Sequence, residues 1–367
     1  MMKKSVFFLL LFSTFFQLAE GKVYRFLVGT YTQNTVSEGI YSINFDAESG
    51  VFKIQLAATD VDNPSFLAFS PDRNFVYAVN ELGFESRITS FRFDAPSGKL
   101  YFINDVNADG SDPCFISASE HHIITANYSS GSACVFKRNR DGSIGESVQK
   151  IQFEGHGIDS SRQKSPHVHQ TIFSPCGQFL LINDLGTDFI RSFLYFPEKL
   201  QNCLSPFDSL KVKPGSGPRH LAFSKDRKYL YLLHELDGTI SIIRFNKGNL
   251  EFSGETSLVT NKNLKTGAAD IHISPDGKFL YATNRGESNN ITCFRIQKNG
   301  SLEFVEQIPT QGNGPRNFVI TKDGNYLLVG NQYSDKIVVF KRDRKSGKLT
   351  DTEIRMEVGA PVCLLEY

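Results

Sequence analysis

Residues 271–286 read IHISPDGKFLYATNRG. Two apolar, β-prone runs flank Pro275-Asp276-Gly277, and turn formers between such runs are the mark of a β-hairpin. The pattern recurs along the chain. LAFSPDRNFVYAVNE ends its second run at Asn80, ISASEHHIITANY at Asn127, IFSPCGQFLLIND at Asn183, LAFSKDRKYLYLLHE at His234 and FVITKDGNYLLVGNQ at Asn331. With Asn284 included, successive end positions lie 47, 56, 51, 50 and 47 residues apart. A repeat of that length holds four strands, and four-stranded repeats arranged radially form a β-propeller.

Each hairpin is followed by two further strand-like runs. NITCFRI and SLEFVEQI follow Asn284, KIVVFKRD and KLTDTEI follow Asn331, and RITSFRFD and KLYFIND follow Asn80. Near the N-terminus, VYRFLVGTYT, GIYSINFD and GVFKIQL match the second, third and fourth strands of a repeat, with no first strand before them. The missing strand lies at the other end, as APVCLLEY from Ala360 to Tyr367. The expected fold is therefore all-β: a seven-bladed β-propeller of four-stranded antiparallel blades, closed by one C-terminal and three N-terminal strands, over residues 22–367. The absence of Trp argues against the Trp-Asp class of propellers. The 56-residue step places an insertion at FEGHGIDSSRQKSP, residues 153–166.

Ahead of this domain, Lys3 and Lys4 precede an apolar run from Ser5 to about Ala19, followed by Glu20-Gly21-Lys22. Residues 1–21 read as a secretory signal peptide, because the run is shorter than the ~20 residues of a membrane span. The expected mature protein is exported, periplasmic or extracellular, with no stable membrane span. The formal net charge is +1, from 40 basic and 39 acidic side chains without a basic stripe, which excludes a nucleic-acid partner. The six cysteines fall in different blades without metal-ligand spacing, so buried thiols are expected and neither a metal nor another cofactor is.

The repeat also locates a site. In a propeller the start of each inner strand and the end of the next strand share one face, opposite the Pro-Asp-Gly turns. Aligned on those turns, one ring reads Ser65, Cys114, His169, Arg219, Ala269, Arg316 and Val362. A second reads Tyr31, Glu81, Tyr128, Asp184, Glu235, Arg285 and Gln332. Acids, arginines and a histidine that differ from blade to blade suit a ligand site, whereas a purely structural collar would repeat one residue type. Glu81, Asp184 and Gln332 are expected to bind substrate, together with Arg316, Arg162 and His167. His167 and His169 share a side of their strand, but no third ligand joins them, which leaves His167 a structural or substrate-ordering role rather than a metal. His272 reads as a core histidine, and His121 and His122 as solvated turn residues. Since the ring side chains face an open mouth, substituting them is expected to leave folding little affected.

At these residues the chain resembles the seven-bladed lactonase family, which includes the cycloisomerase-type 6-phosphogluconolactonases and the fungal carboxymuconate-cyclizing enzymes. The resemblance rests on FLVGTYT, RQKSPHVHQ, GPRHLAFS, SPDGKFLYATNRG, GNGPRNFVITKDGNYLLVGNQ and PVCLLEY, and covers the mature chain end to end. It implies a metal-independent hydrolase or lactonising enzyme acting on a small-molecule lactone. It also implies a catalytic group of His169 in PHVHQ, Arg219 in GPRH, Glu235 in HEL and Arg285 in NRG. Glu235 or His169 would be the general base, Arg219 and Arg285 would hold the oxyanion or carboxylate, and Arg316 or Arg162 would meet a phosphate. No Gly-x-Ser-x-Gly elbow is present for a covalent serine mechanism. The leader sets the chain apart from cytosolic phosphogluconolactonases. A carboxymuconate cycloisomerase and a non-catalytic glycan- or protein-binding propeller are the alternatives, and the oligomeric state is left open.

Overall fold

A computed structural model describes residues 22–261 and 263–367 of the protein, so the proposed signal peptide at 1–21 lies outside the described residues. Those residues form seven four-stranded antiparallel sheets, one per repeat. The inner strands of blades 1 to 6 are Leu67–Phe69, Pro113–Ala118, Val168–Phe173, Pro218–Phe223, Ala268–Ile273 and Pro315–Ile320. Blade 7 takes its inner strand from the C-terminus, Pro361–Glu366, and its other three from Val23–Thr30, Ile40–Asp46 and Phe52–Ala58. The two chain ends meet antiparallel, with Phe26 opposite Glu366 and Val28 opposite Leu364.

The hairpin in residues 271–286 shows how the repeat is made. Ser274 Oγ donates to Asp276 at 2.6 Å and accepts from the Phe279 amide at 3.0 Å, while the Lys278 amide donates to Asp276 at 3.0 Å. Gly277 completes the turn at φ +76°, a conformation that suits a residue without Cβ. Arg73 and Arg227 hold the same turn position at φ 59° and 63°, which is why those repeats read Asp-Arg. Asparagines that close the hairpins brace the backbone beside them: Asn183 Nδ2 donates to the Arg219 carbonyl on the inner strand of the next blade at 3.0 Å. Asn284 Oδ1 accepts from Thr266 and Gly267.

Blades adhere through apolar faces. Phe279 and Tyr281 of blade 5 interleave with Phe318, Leu327 and Phe340 of blade 6. Leu27 and Cys363 of blade 7 meet Leu67, Val76 and Phe91 of blade 1 in the same way, which seals the ring. Five of the six cysteines are buried as free thiols, and Cys176 is exposed. His121 is exposed as expected, but His122 is not solvated. It is buried, with Nδ1 2.8 Å from the Tyr195 hydroxyl, because Tyr195 of blade 3 closes over the turn of blade 2.

Deleting residues 361–367 removes the inner strand of blade 7 and bares the edge of Val23–Thr30, so the truncated protein is expected to aggregate. Size-exclusion chromatography checks this, and a soluble monomer with the parent's circular dichroism would contradict it.

Candidate active site

The inner-strand ring owes its aim to a repeated backbone irregularity. In blades 2 to 6 the pairing of first and second strands slips just where the ring residue stands: between Pro113 and Phe115, Val168 and Gln170, Pro218 and Leu221, Ala268 and Ile271, and Pro315 and Asn317. Blade 7 shows the same slip between Cys363 and Pro361. A β-bulge leaves one residue unpaired and re-aims its side chain. Cys114, His169, Arg219, Ala269, Arg316 and Val362 are those residues. Strict alternation would have sent some of them into the interfaces between blades.

The mouth of the channel is a cavity of about 440 Å³, walled by Tyr31, Glu81, Cys114, Tyr128, Arg162, His169, Glu235, Arg285, Arg316 and Tyr333, with Gly267 and Gly286. Glu235 is its electrostatic centre. Its Oε2 accepts from Arg219 Nε at 2.9 Å and lies 3.1 Å from Arg285 Nη2, and its Oε1 accepts from Arg162 Nη2 at 2.5 Å. Burial opposes ionisation of this carboxyl, but the charges of Arg285, Arg219 and Arg162 outweigh it and hold the pKa at about 2. Arg285 is further fixed by donating Nε to the Gly267 carbonyl at 2.9 Å.

Arg162 reaches this carboxylate from the insertion. There Gln163 is fully buried and donates Nε2 to the Leu185 carbonyl and to Asp188, each at 2.8 Å. Asp188 also accepts from the amides of Gly215 and Gly217, so one anchored loop ties blade 3 to blade 4 and lays Arg162 over the mouth. Across the cavity, Glu81 accepts from the Tyr31 hydroxyl at 2.6 Å and from Ser65 Oγ at 2.8 Å. The Arg316 guanidinium sits 5.4 Å from the Tyr31 ring centre and donates no hydrogen bond to a described residue.

His169 is buried, and burial together with the charges of Arg219 and Arg316 keeps it neutral, its pKa held well below the ordinary histidine value. Its Nδ1 is enclosed without a hydrogen-bond partner among the described residues, while the ring lines the cavity. Burial also pushes the Cys114 thiol far up, which removes it as a nucleophile.

The structure thus brings His169, Glu235, Arg285, Arg162, Arg316 and Glu81 into the lining of one cavity. Arg219 lies behind that lining, 1% exposed, bound to Glu235 and to the Ala269 carbonyl, so it supports the site and is not positioned to touch a substrate. Asp184 does not belong to the cavity. It is fully buried, accepts from the amides of His167 and Gly186, and pairs with Arg191, because the chain turns inward at Leu185. His167 stacks on Tyr128 at 4.5 Å and donates Nδ1 to the Tyr128 carbonyl at 2.9 Å, which sets the tyrosine rather than lining the wall. Gln332 lines a neighbouring hollow shared with Tyr31, Glu81 and Tyr333. His272 is 44% exposed and bonds to Asp270, so it is a channel residue rather than a core one. Tyr333, 64% exposed, was not legible in the repeat, since it stands one position past the aligned ring. Among the described residues no group of three His, Cys, Asp or Glu side chains could hold a metal ion.

Fold and mouth together define a propeller with a polar, arginine-rich cavity on its axis. The family model for the lactonase, seven-bladed β-propeller, family matches residues 25–366, and the chain belongs to that family. A 6-phosphogluconolactonase of Formosa agariphila is 38% identical over 329 residues, covering 88% of this chain and 93% of the relative. The 6-phosphogluconolactonase of Bacillus subtilis is 33% identical over 345 residues, covering 92% and 96%. The solved periplasmic gluconolactonase of Pseudomonas aeruginosa superposes with a TM-score of 0.89 at 36% identity, over 94% of this chain and 99% of that one.

The contacts of Glu235 revise the expectation that site substitutions spare the fold. Glu235→Gln leaves Arg219 buried without its counter-charge, and breaking a buried pair costs about 3–5 kcal/mol. A clear drop in melting temperature is expected, whereas Arg316→Ala should melt with the parent. The folded pKa of Glu235 lies below its ordinary 4.5, so its contribution is present above pH 4.5 and lost as pH falls towards about 2. The variant should therefore lose less stability than the parent across that window. Equal melting of Glu235→Gln and parent at neutral pH would refute the argument.

Proposed function

We propose that this protein hydrolyses a six-membered sugar lactone, 6-phosphoglucono-1,5-lactone or its unphosphorylated counterpart, at the channel mouth. The observation that carries this reading is a neutral histidine facing a cavity in which Arg285 and Arg162 converge on one side. Ring opening needs a water deprotonated as it attacks the carbonyl, and donors where the carbonyl oxygen gains charge. His169 takes the water's proton. Glu235 is unsuited to that task, because its carboxylate is engaged by three arginines and held at about pKa 2. Its work is to hold Arg285 and Arg162 side by side against their mutual repulsion.

Arg285 supports the developing oxyanion and then the carboxylate product, for which a planar guanidinium is suited. The cationic charges that lower the proton affinity of His169 are offset as the oxyanion forms, so the imidazole becomes a stronger base as the reaction proceeds. The protonated ring then returns its proton to the departing ring oxygen. Arg316, with no hydrogen-bond acceptor among the described residues, is available to an anionic substituent such as a phosphate. The names of the two relatives support a phosphorylated lactone, and that of the solved neighbour an unphosphorylated one. The same cations also suit a carboxylated muconate, so the cycloisomerase reaction belongs in the assay panel.

With gluconolactone and its 6-phosphate as substrates, His169→Ala is expected to lower kcat by ~10²–10⁴-fold. Asp276→Ala, in the turn at the far end of blade 5, should leave kcat unchanged. Arg316→Ala should raise KM for the phosphorylated lactone only. His169 must be neutral to act and its pKa is lowered, so kcat/KM should stay flat as pH falls through 6.5 and decline only in stronger acid. An acid limb centred at 6.5 or above, or full activity in His169→Ala, would overturn the assignment.

The basic and apolar leader and the periplasmic location named for the solved neighbour both support export. N-terminal sequencing from the native host is expected to give a start near Lys22, and an intact Met1 would refute export.

A further inference from the structure

We infer that the Asp270–His220 pair, one layer below the cavity, sets the tautomer of His169 and leaves its Nε2 bare towards the substrate. This rests on the reading of His169 as the base and names the residues that would prepare it.

Asp270 stands at the bulge of blade 5 and is buried. Its Oδ1 accepts from His220 Nδ1 at 2.8 Å and from the Ile271 amide at 3.0 Å. Its Oδ2 accepts from His272 Nε2 at 2.9 Å, Asn317 Nδ2 at 2.6 Å and the Phe318 amide at 3.2 Å. A carboxylate surrounded by donors is ionised and can only accept, so the proton in the His220 contact sits on His220 Nδ1. Burial and the Arg219 charge keep His220 neutral, with a pKa of about 4. Its Nε2 is then an unprotonated acceptor, and it is buried with no partner among the described residues.

His169 has the complementary vacancy at its enclosed Nδ1. The two rings lie 4.9 Å apart, at 72° to each other. The other rings against His220 are Phe66 and Phe115, which offer no polar atom. Two neutral imidazoles, each with one buried orphan nitrogen, satisfy both if His169 carries its proton on Nδ1 and gives it to His220 Nε2. The nitrogen left bare on His169 is then Nε2, the one required to receive a proton from water. The chain Asp270–His220–His169 thus has the logic of a carboxylate orienting a histidine, extended by one ring. His220 and Asp270 are positioning residues.

The test begins with ¹⁵N-histidine spectra of the whole mature protein without substrate, with His169→Gln used to assign the His169 signals. The expected result is a protonated Nδ1 and a bare Nε2. His220→Phe keeps an aromatic ring but removes the acceptor, and should shift His169 towards the other tautomer. It should also lower kcat by roughly 10²-fold, the lower end of a general base's contribution, with KM little changed. His220→Gln keeps an acceptor and should recover most of kcat.

The pH profile adds a readout that packing alone would not move. The groups facing His169 are Arg219 and His220 of blade 4, Arg285 of blade 5, Arg316 of blade 6, and Cys114 and Tyr128 of blade 2. All of them except His220 are retained in His220→Phe, so a moved acid limb reports the lost contact. A protonated Nε2 in the parent overturns the inference, as does a His220→Phe variant with unchanged tautomer and kcat. If His220→Phe does not fold, the parent spectrum alone decides. If the parent opens no lactone, the proposed function fails while the spectrum still answers the tautomer question.

Discussion

Each blade packs its apolar faces against its two neighbours, so the ring holds its shape only if the last blade is shared between the two ends of the chain. Pairing of Val23–Thr30 with Pro361–Glu366 supplies that closure, and the apolar seam from Leu27 and Cys363 to Leu67 and Phe91 locks it. The site inherits the constraint. Tyr31 comes from blade 7, Glu81 from blade 1, Tyr128 from blade 2, His169 from blade 3, Glu235 from blade 4, Arg285 from blade 5 and Arg316 from blade 6, and they meet only on a common axis.

On that axis the dominant problem is like charge. Arg162, Arg219 and Arg285 crowd together, and Glu235 makes the arrangement tenable by meeting all three. The geometry divides the arginines by depth. Arg219 is behind the carboxylate, Arg285 and Arg162 are beside it, and Arg316 stands apart against Tyr31. A second carboxylate, Asp270, does the corresponding work one layer down, gathering donors from blades 4, 5 and 6 and holding His220 beneath His169. The channel is thus built as stacked polar layers, each centred on one acid.

The hairpin period, the turn chemistry and the misplaced strand at Ala360–Tyr367 were legible in the sequence because each is local: a turn depends on three or four adjacent residues, and a strand on its own alternation. Alignment of repeats carried this as far as the two rings, and so to His169, Glu235, Arg285 and Arg316. It also put Asp184 in a ring, since by register it is equivalent to Glu235. The chain beyond it folds inward onto Arg191 and Thr187 instead, a choice made by contacts within blade 3 that no repeat alignment contains.

Depth and orientation were decided by tertiary structure alone. The bulges that aim the inner-strand ring leave no mark in the pattern of apolar and polar residues, because they depend on how two strands are paired. Burial of Arg219 depends on what stands in front of it, and the anchoring of Gln163 on Leu185 and Asp188 lies more than twenty residues away in sequence. The contact of His220 with Asp270 spans a whole repeat. The sequence by itself determined seven blades, their closure and which residue types gather at the mouth. Only the assembled ring decided which of them face the cavity and which stand behind it, because burial and charge pairing are properties of neighbours in space.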